Sequence, residues 1–235
     1  MGRHRLTLLF VCAILFFSCR KDMATSEVIV TPPQQWQAVS YSESNVLRAP
    51  GNYQEWKIAS APKLVSVNGD GEYEGFINFP LENTEFWLVK GTAWSNVVTY
   101  NQTGDNTFGF NGTFFKIPSG AGVYKMNAST NSFKWSCEKI TTMSVYGTAA
   151  AGVDEEMTFN PSNMTWTITR NFAAGEFVFR ANKANHIRFG HNAESETGLL
   201  SVNGESMRLD KSGSYTIVLS LQSAGNYVYS VKRNF

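Results

Sequence analysis

Charge is scarce in this chain of 235 residues. Only 17% of them are charged, with 20 Lys and Arg set against 19 Asp and Glu, for a formal net charge of +1. No Lys/Arg cluster appears, so the electrostatic footprint that nucleic-acid binding requires is absent. Cysteine is equally sparse. Cys12, Cys19 and Cys137 are too few for a disulfide framework or a four-cysteine zinc site. Long apolar runs are missing as well, because Leu6 to Phe17 falls short of the roughly 20 residues that span a bilayer. No amphipathic helical period lasts three turns. There is no G-x-S-x-G and no phosphate-binding glycine loop. His186 and His191 have no third ligand nearby in sequence, whereas zinc takes three or four. Asp154-Glu155-Glu156 reads as a solvated loop, since adjacent carboxylates on a strand alternate faces and cannot straddle a glycosidic bond. These absences exclude the common catalytic chemistries, so the chain reads as a non-enzyme with no cofactor.

What is abundant is aromatic and turn-forming. Phe, Trp and Tyr make up 14% of the chain, and short alternating or β-branched runs are bounded by Gly, Asn, Ser and Pro. Val46 to Ala49 reads as a first strand closed by Pro50-Gly51, and Asn68-Gly69-Asp70-Gly71 reads as a hairpin turn into Tyr73 to Phe79. Later runs at Thr165 to Ile168, Tyr215 to Leu221 and Tyr227 to Val231 repeat the pattern. Strands every 8–12 residues with turns between them argue for antiparallel sandwiches. Phe86 and Phe177 share one offset with Tyr124 and Tyr215 (177 − 86 and 215 − 124, both 91). A constant offset of this kind implies a duplicated unit. The expected organisation is therefore an all-β chain of two tandem sandwich domains, residues 42–138 and 139–235.

Upstream, Arg3 and Arg5 precede the apolar run and Ser18 closes it, as in a signal peptide over residues 1–18. Ser18-Cys19-Arg20 resembles a bacterial lipoprotein box, although Phe16 stands where that box usually carries Leu. The resemblance implies lipidation at Cys19, and residues 19–41 with Thr31-Pro32-Pro33 would form a stiffened tether. Several acyl chains on one cysteine anchor stably at about 0.8 kcal/mol per buried methylene. Cys137 then remains alone and reads as an inert buried thiol. In a bacterial protein the N-x-S/T triplets at Asn101, Asn111, Asn127 and Asn163 read as turn chemistry.

The stretch Glu85 to Tyr100, EFWLVKGTAWSNVVTY, reads as strand, turn and strand. Alternation puts Phe86, Leu88 and Lys90 on one face and Glu85, Trp87 and Val89 on the other. Phe86 and Leu88 suit a core, which turns Trp87 outward. A flat indole desolvates the apolar C–H face of a pyranose while amide and charged groups bond its hydroxyls. Trp87 and Trp94 are therefore the candidate glycan platform, with Lys90, Asn96, Tyr100 and Trp56 in support. Arg180, Asn185 and Arg188 form a possible second site. Trp166, on an alternating strand, reads as core.

Several segments together resemble the SusE/SusF-type outer-membrane lipoproteins of Bacteroidetes. They are Ala49-Pro50-Gly51-Asn52-Tyr53-Gln54-Glu55-Trp56, the Tyr73-Glu74-Gly75 strand, Gly175 to Asn182 with Phe189-Gly190, and Ser214 to Leu219. The resemblance implies immunoglobulin-like, carbohydrate-binding-module-like domains without catalysis. It also implies display at the cell surface on an outer-membrane lipid anchor, binding of starch or a related polysaccharide, and a neighbouring glycan importer as partner. The chain departs from the family's signature at Trp87 and Val178, where the signature has lysine, and at Asn185, where the signature has tryptophan. The rival reading is a structural or adhesive surface lipoprotein whose aromatics are all internal.

Overall fold

The computed structural model describes residues 38–192 and 199–235. Cys19, the signal segment and most of the tether lie outside the described residues. Among the described residues every regular element of more than three residues is a strand, and the helical pieces are four short 3-10 turns. No helix among the described residues is long and apolar enough to cross a membrane.

The first half has its strands arranged as a ring of hydrogen-bonded neighbours. In order these are Val46–Arg48, Lys63–Val65, Glu72–Phe79, Gly122–Ser129, Lys134–Ile140, Thr107–Gly109, Val98–Gly104 and Leu88–Lys90, which returns to the first. Its backbone is the long hairpin system around Gly122–Ser129, paired over its whole length with Glu72–Phe79 on one side and from Val123 onward with Lys134–Ile140 on the other. The ring closes through single residue pairs, Arg48 with Val89, Val65 with Glu74 and Thr107 with Lys134. The sequence pattern leads one to expect two separate sheets here. The difference lies in these three contacts, which periodicity cannot register. Inside the ring the alternating residues Tyr73, Ile77, Phe79, Leu88, Tyr124, Met126 and Trp135 meet Leu47, Leu64, Phe86 and Phe115 in one core.

The second half is built of two layers. One sheet runs Glu155–Glu156, Met143–Tyr146, Gly175–Ala181, Arg188–His191 and Leu200–Val202, with Met207–Leu209 added beside the start of Gly175–Ala181. The other runs Thr158–Asn160, Thr165–Phe172, Gly213–Ser220 and Val228–Arg233. Met143, Val145, Phe177, Phe179 and Phe189 from the first layer face Trp166, Ile168, Tyr215, Ile217 and Leu219 from the second. Trp166 is 3% exposed, a core residue as its alternating strand implies.

Two local features recur in both halves. Tyr124 donates its hydroxyl to the Gly120 carbonyl four residues back at 2.7 Å, and Tyr215 does the same to Lys211 at 2.6 Å. This is the corner that tyrosines make in Greek-key sandwiches. Gly51 and Gly147 each precede a 3-10 turn that ends in a left-handed residue, Glu55 or Ala151. Both glycines press against the neighbouring strand, where an added Cβ would sit 2.4 Å from the Glu85 carbonyl in one case and 2.4 Å from the Glu176 carbonyl in the other. Only a residue without Cβ fits such an approach.

Phe76 and Val123, from the first half, belong to the second half's core. Phe76 lies 5.5 Å from Phe189 and 5.6 Å from Tyr227, ring to ring, and Tyr227 donates to Glu74 at 3.2 Å. Asn182, at φ 53°, accepts from the backbone of Thr141 at 2.8 Å and donates to the Lys139 carbonyl at 2.8 Å and to Glu138 at 3.1 Å. One amide thus grips the segment joining the halves. On the other side Val39 exchanges hydrogen bonds with the Asn226 side chain at 2.7 and 3.0 Å, and Tyr41 donates to the Gly225 carbonyl at 2.9 Å.

Candidate functional site

Four aromatic rings gather on the outer wall of the first half. Glu85–Phe86 pairs antiparallel with Phe115–Lys116, which turns Phe86 and Phe115 into the core, both fully buried. The residues next along, Trp87 and Phe114, then fall on the outward face. Their rings stack 5.0 Å apart at 27°. Trp56 reaches the same place from a distance in sequence. After the turn Asn52–Gln54 the chain holds Glu55 and Trp56 consecutively at φ 60° and 58°. Two left-handed bulky residues in a row cost of order 1–2 kcal/mol each, and the reversal they make lays the Trp56 ring 5.2 Å from Trp87 and 5.0 Å from Phe114.

Trp94 completes the group from the 3-10 turn Trp94–Asn96. Its ring meets Trp87 edge-on at 5.4 Å, and its indole N–H donates to the Trp56 carbonyl at 3.1 Å. The bond consumes the polar edge of the indole and leaves its faces apolar. Trp94 is 46% exposed, while Trp56 and Trp87 are half-buried. The arrangement is one open indole resting on Trp87, which is packed in turn against Trp56 and Phe114.

The other proposed contacts are divided between places. Asn96 is exposed on the same short turn as Trp94. Tyr100 is opposite Leu88 across the sheet and 7% exposed. It packs against Phe108 at 5.4 Å and Phe110 at 5.5 Å, on the face away from Trp87. Burial raises the pKa of its hydroxyl, with Lys90 pulling the other way. Lys90 follows the same phase, its ammonium 3.3 Å from the Tyr73 hydroxyl. The structure thus brings together Trp56, Trp87, Trp94 and Asn96, and sets Lys90 and Tyr100 on the opposite side of the strand. Phe114 is the member that sequence reading passes over. Thr113 to Ile117 is legible as a strand, but its partner lies some thirty residues away and only two residues of each pair.

The second candidate site is closed on itself. Arg180 is 9% exposed. It donates to both carboxylate oxygens of Asp154 (2.9 Å from Nε) and to Asn185 at 3.1 Å, and its plane covers the Tyr146 ring at 3.5 Å. The hydrogen bond to Asp154 raises the Arg180 pKa, against its partial burial. Arg188, directly opposite Arg180 across the sheet, has a long contact of 3.4 Å to the Gly204 carbonyl and a buried Nε without a partner.

The acidic run is not a loop. Glu155–Glu156 is an edge strand, and Asp154, Glu155 and Glu156 are each paired with a different cation, Arg180, Arg170 and Lys183. His186 binds Glu138 at 2.8 Å whereas His191 buries an unpartnered Nδ1. Among the described residues no cluster of three or more His, Cys, Asp or Glu side chains could hold a metal. Cys137 is partly buried, and burial pushes its thiol pKa up to about 11, which leaves almost no thiolate at neutral pH.

No protein-family profile and no curated protein sequence matches the chain. Among solved structures it is similar to SusF from Bacteroides thetaiotaomicron, at 15% sequence identity and a TM-score of 0.35. That likeness covers 83% of this chain and 50% of SusF, so the chain spans about half the length of its structural neighbour. So distant a likeness assigns no ligand.

Proposed function

We propose that this chain is a non-catalytic glycan-binding protein displayed on a cell surface. It consists of two tandem immunoglobulin-like domains, residues 42–138 and 139–235, behind a lipid anchor at Cys19 in an outer membrane. The observation that carries the reading is the exposed Trp94 indole, set against Trp87, which packs in turn on Trp56 and Phe114. An apolar plane beside exposed amide and hydroxyl groups suits an uncharged sugar, whose ring faces are apolar and whose edges are polar. The paired tyrosine corners favour the two-domain description. The sequence resemblance to SusE/SusF lipoproteins favours the anchor, a starch-like polysaccharide as ligand and an adjacent importer as partner. A single platform gives weak binding, so retention of a polymer depends on repeated engagement along it.

The test is affinity electrophoresis of residues 21–235 in gels containing soluble starch, β-glucan, mannan or pectin. Retardation by one polymer, lost in Trp94→Ala, is the expected result. Because Trp94 is the exposed member, its removal leaves the core in place and the thermal midpoint within a few degrees. Unchanged migration in every gel would sink the glycan reading and leave a structural or adhesive surface protein.

A further inference from the structure

The register that stacks Trp87 on Phe114 places a second pair on the same outward face. Glu85 stands opposite Lys116, two residues before Trp87 on one strand and two residues after Phe114 on the other. Residues two apart on a strand share a face at a rise of about 6.6–7 Å. The surface is therefore a ladder of two rungs, one an ion pair and the next a stacked aromatic pair, with Trp94 edge-on against Trp87. Lys116 Nζ lies 3.0 Å from Glu85 Oε1, and the side chains keep 66% and 35% of their exposure. Both backbones are pinned. Glu85 N–H donates to Asn52 at 3.1 Å and Lys116 N–H to Gln102 at 3.3 Å.

We infer that Glu85 and Lys116 are the polar half of the sugar-binding surface and that its ligand is a neutral glycan presenting adjacent free hydroxyls. The inference rests on the glycan reading above. A pyranose lying against Trp94 projects its hydroxyls outward in the plane of the ring, and the ion pair, one rung from the Trp87 ring on which Trp94 rests, is the polar surface on that face. There a carboxylate accepts from two neighbouring hydroxyls at once, and an ammonium donates to an oxygen beside them. The pair has no net charge, so it offers an acidic sugar no net attraction: what Lys116 attracts, Glu85 beside it repels. An exposed ion pair of this kind contributes only about 0–1 kcal/mol to stability, which makes both residues replaceable without unfolding the chain.

The experiment compares wild type, Glu85→Gln, Lys116→Met, the double exchange Glu85→Lys with Lys116→Glu, and Trp94→Ala. Each is run in gels of soluble starch, β-glucan, galactomannan and polygalacturonate, with thermal melting alongside. Expected is retardation by at least one neutral polymer and none by polygalacturonate. Each single variant should weaken binding about tenfold, and the double exchange should keep its melting temperature without regaining affinity. Restored affinity in the exchange would show that the pair only ties the two strands together, which overturns the inference. Loss in Trp94→Ala with unchanged binding by the Glu85 and Lys116 variants also overturns it, leaving the glycan reading intact. Retardation by polygalacturonate refutes the neutral class. Absence of any retardation of wild type refutes both this inference and the reading beneath it.

Discussion

Tyr124 and Tyr215 show how a single hydroxyl fixes a chain reversal. Each ring is fully buried, and each hydroxyl satisfies a carbonyl four residues upstream that the strand ladder leaves open. Tyr215→Phe keeps the packing and strands that carbonyl, so we expect a loss of about 1 kcal/mol, read as a shift in urea midpoint at constant m. Tyr124→Phe should cost a similar amount. The correspondence of these two tyrosines was legible in the sequence, because they share an offset with Phe86 and Phe177. The outward Trp87 was legible for the same kind of reason, since Phe86 and Leu88 fix the phase of their strand. Tyr100 was not, because its phase is set by Leu88 across the sheet and its own neighbours, Thr99 and Asn101, look as polar as those of an exposed strand. Phe114 was hidden by adjacency to Phe115, where two phenylalanines in a row mark both faces at once.

Between residue and molecule, the joints of the elements carry the constraints. Gly51→Ala places a methyl 2.4 Å from the Glu85 carbonyl, at the point where the chain turns to deliver Trp56. The expected cost is about 1–3 kcal/mol, together, on the proposed glycan reading, with weaker retention as the aromatic cluster shifts. Chemical denaturation and gel retardation of one sample measure both. The linker between the halves supplies a pH dependence. Burial pushes the Glu138 carboxyl up, but hydrogen bonds from His186 and Asn182 outweigh it and leave its pKa below the usual 4.5. A carboxylate held below its unfolded value stabilises the fold above that unfolded value, and the contribution disappears as pH falls through the lower, folded one. Melting temperature should therefore drop on acidification below about pH 4.5, and Glu138→Gln should flatten that part of the profile. Turns and strand faces could be read from spacing alone. The closure of the first half into a ring could not, because three of its joints are single residue pairs with no periodicity to reveal them.

At the scale of the whole chain, the halves differ in sheet arrangement, share local features such as the tyrosine corner, and meet at a seam. Phe76 sits on the outward face of its own strand and is nonetheless 5% exposed, since the second half covers it. Phe76→Ala empties that seam without touching the first half's core. We expect a loss of about 3–5 kcal/mol and, in calorimetry, separation of one unfolding transition into two. A single transition in the variant would mean that the halves are coupled chiefly through Asn182 and the linker.

The bonds from Val39 and Tyr41 to Asn226 and Gly225 also decide how the molecule bears load. A pull on the chain upstream of Val39 meets the second half's final turn before it reaches Val46–Arg48, the first strand of the first half. The force enters at the seam and is shared by both halves, so the strand that closes the first ring is shielded until that clasp gives way. In a single-molecule stretching trace, Asn226→Ala should lower the first rupture force and leave the later ones unchanged.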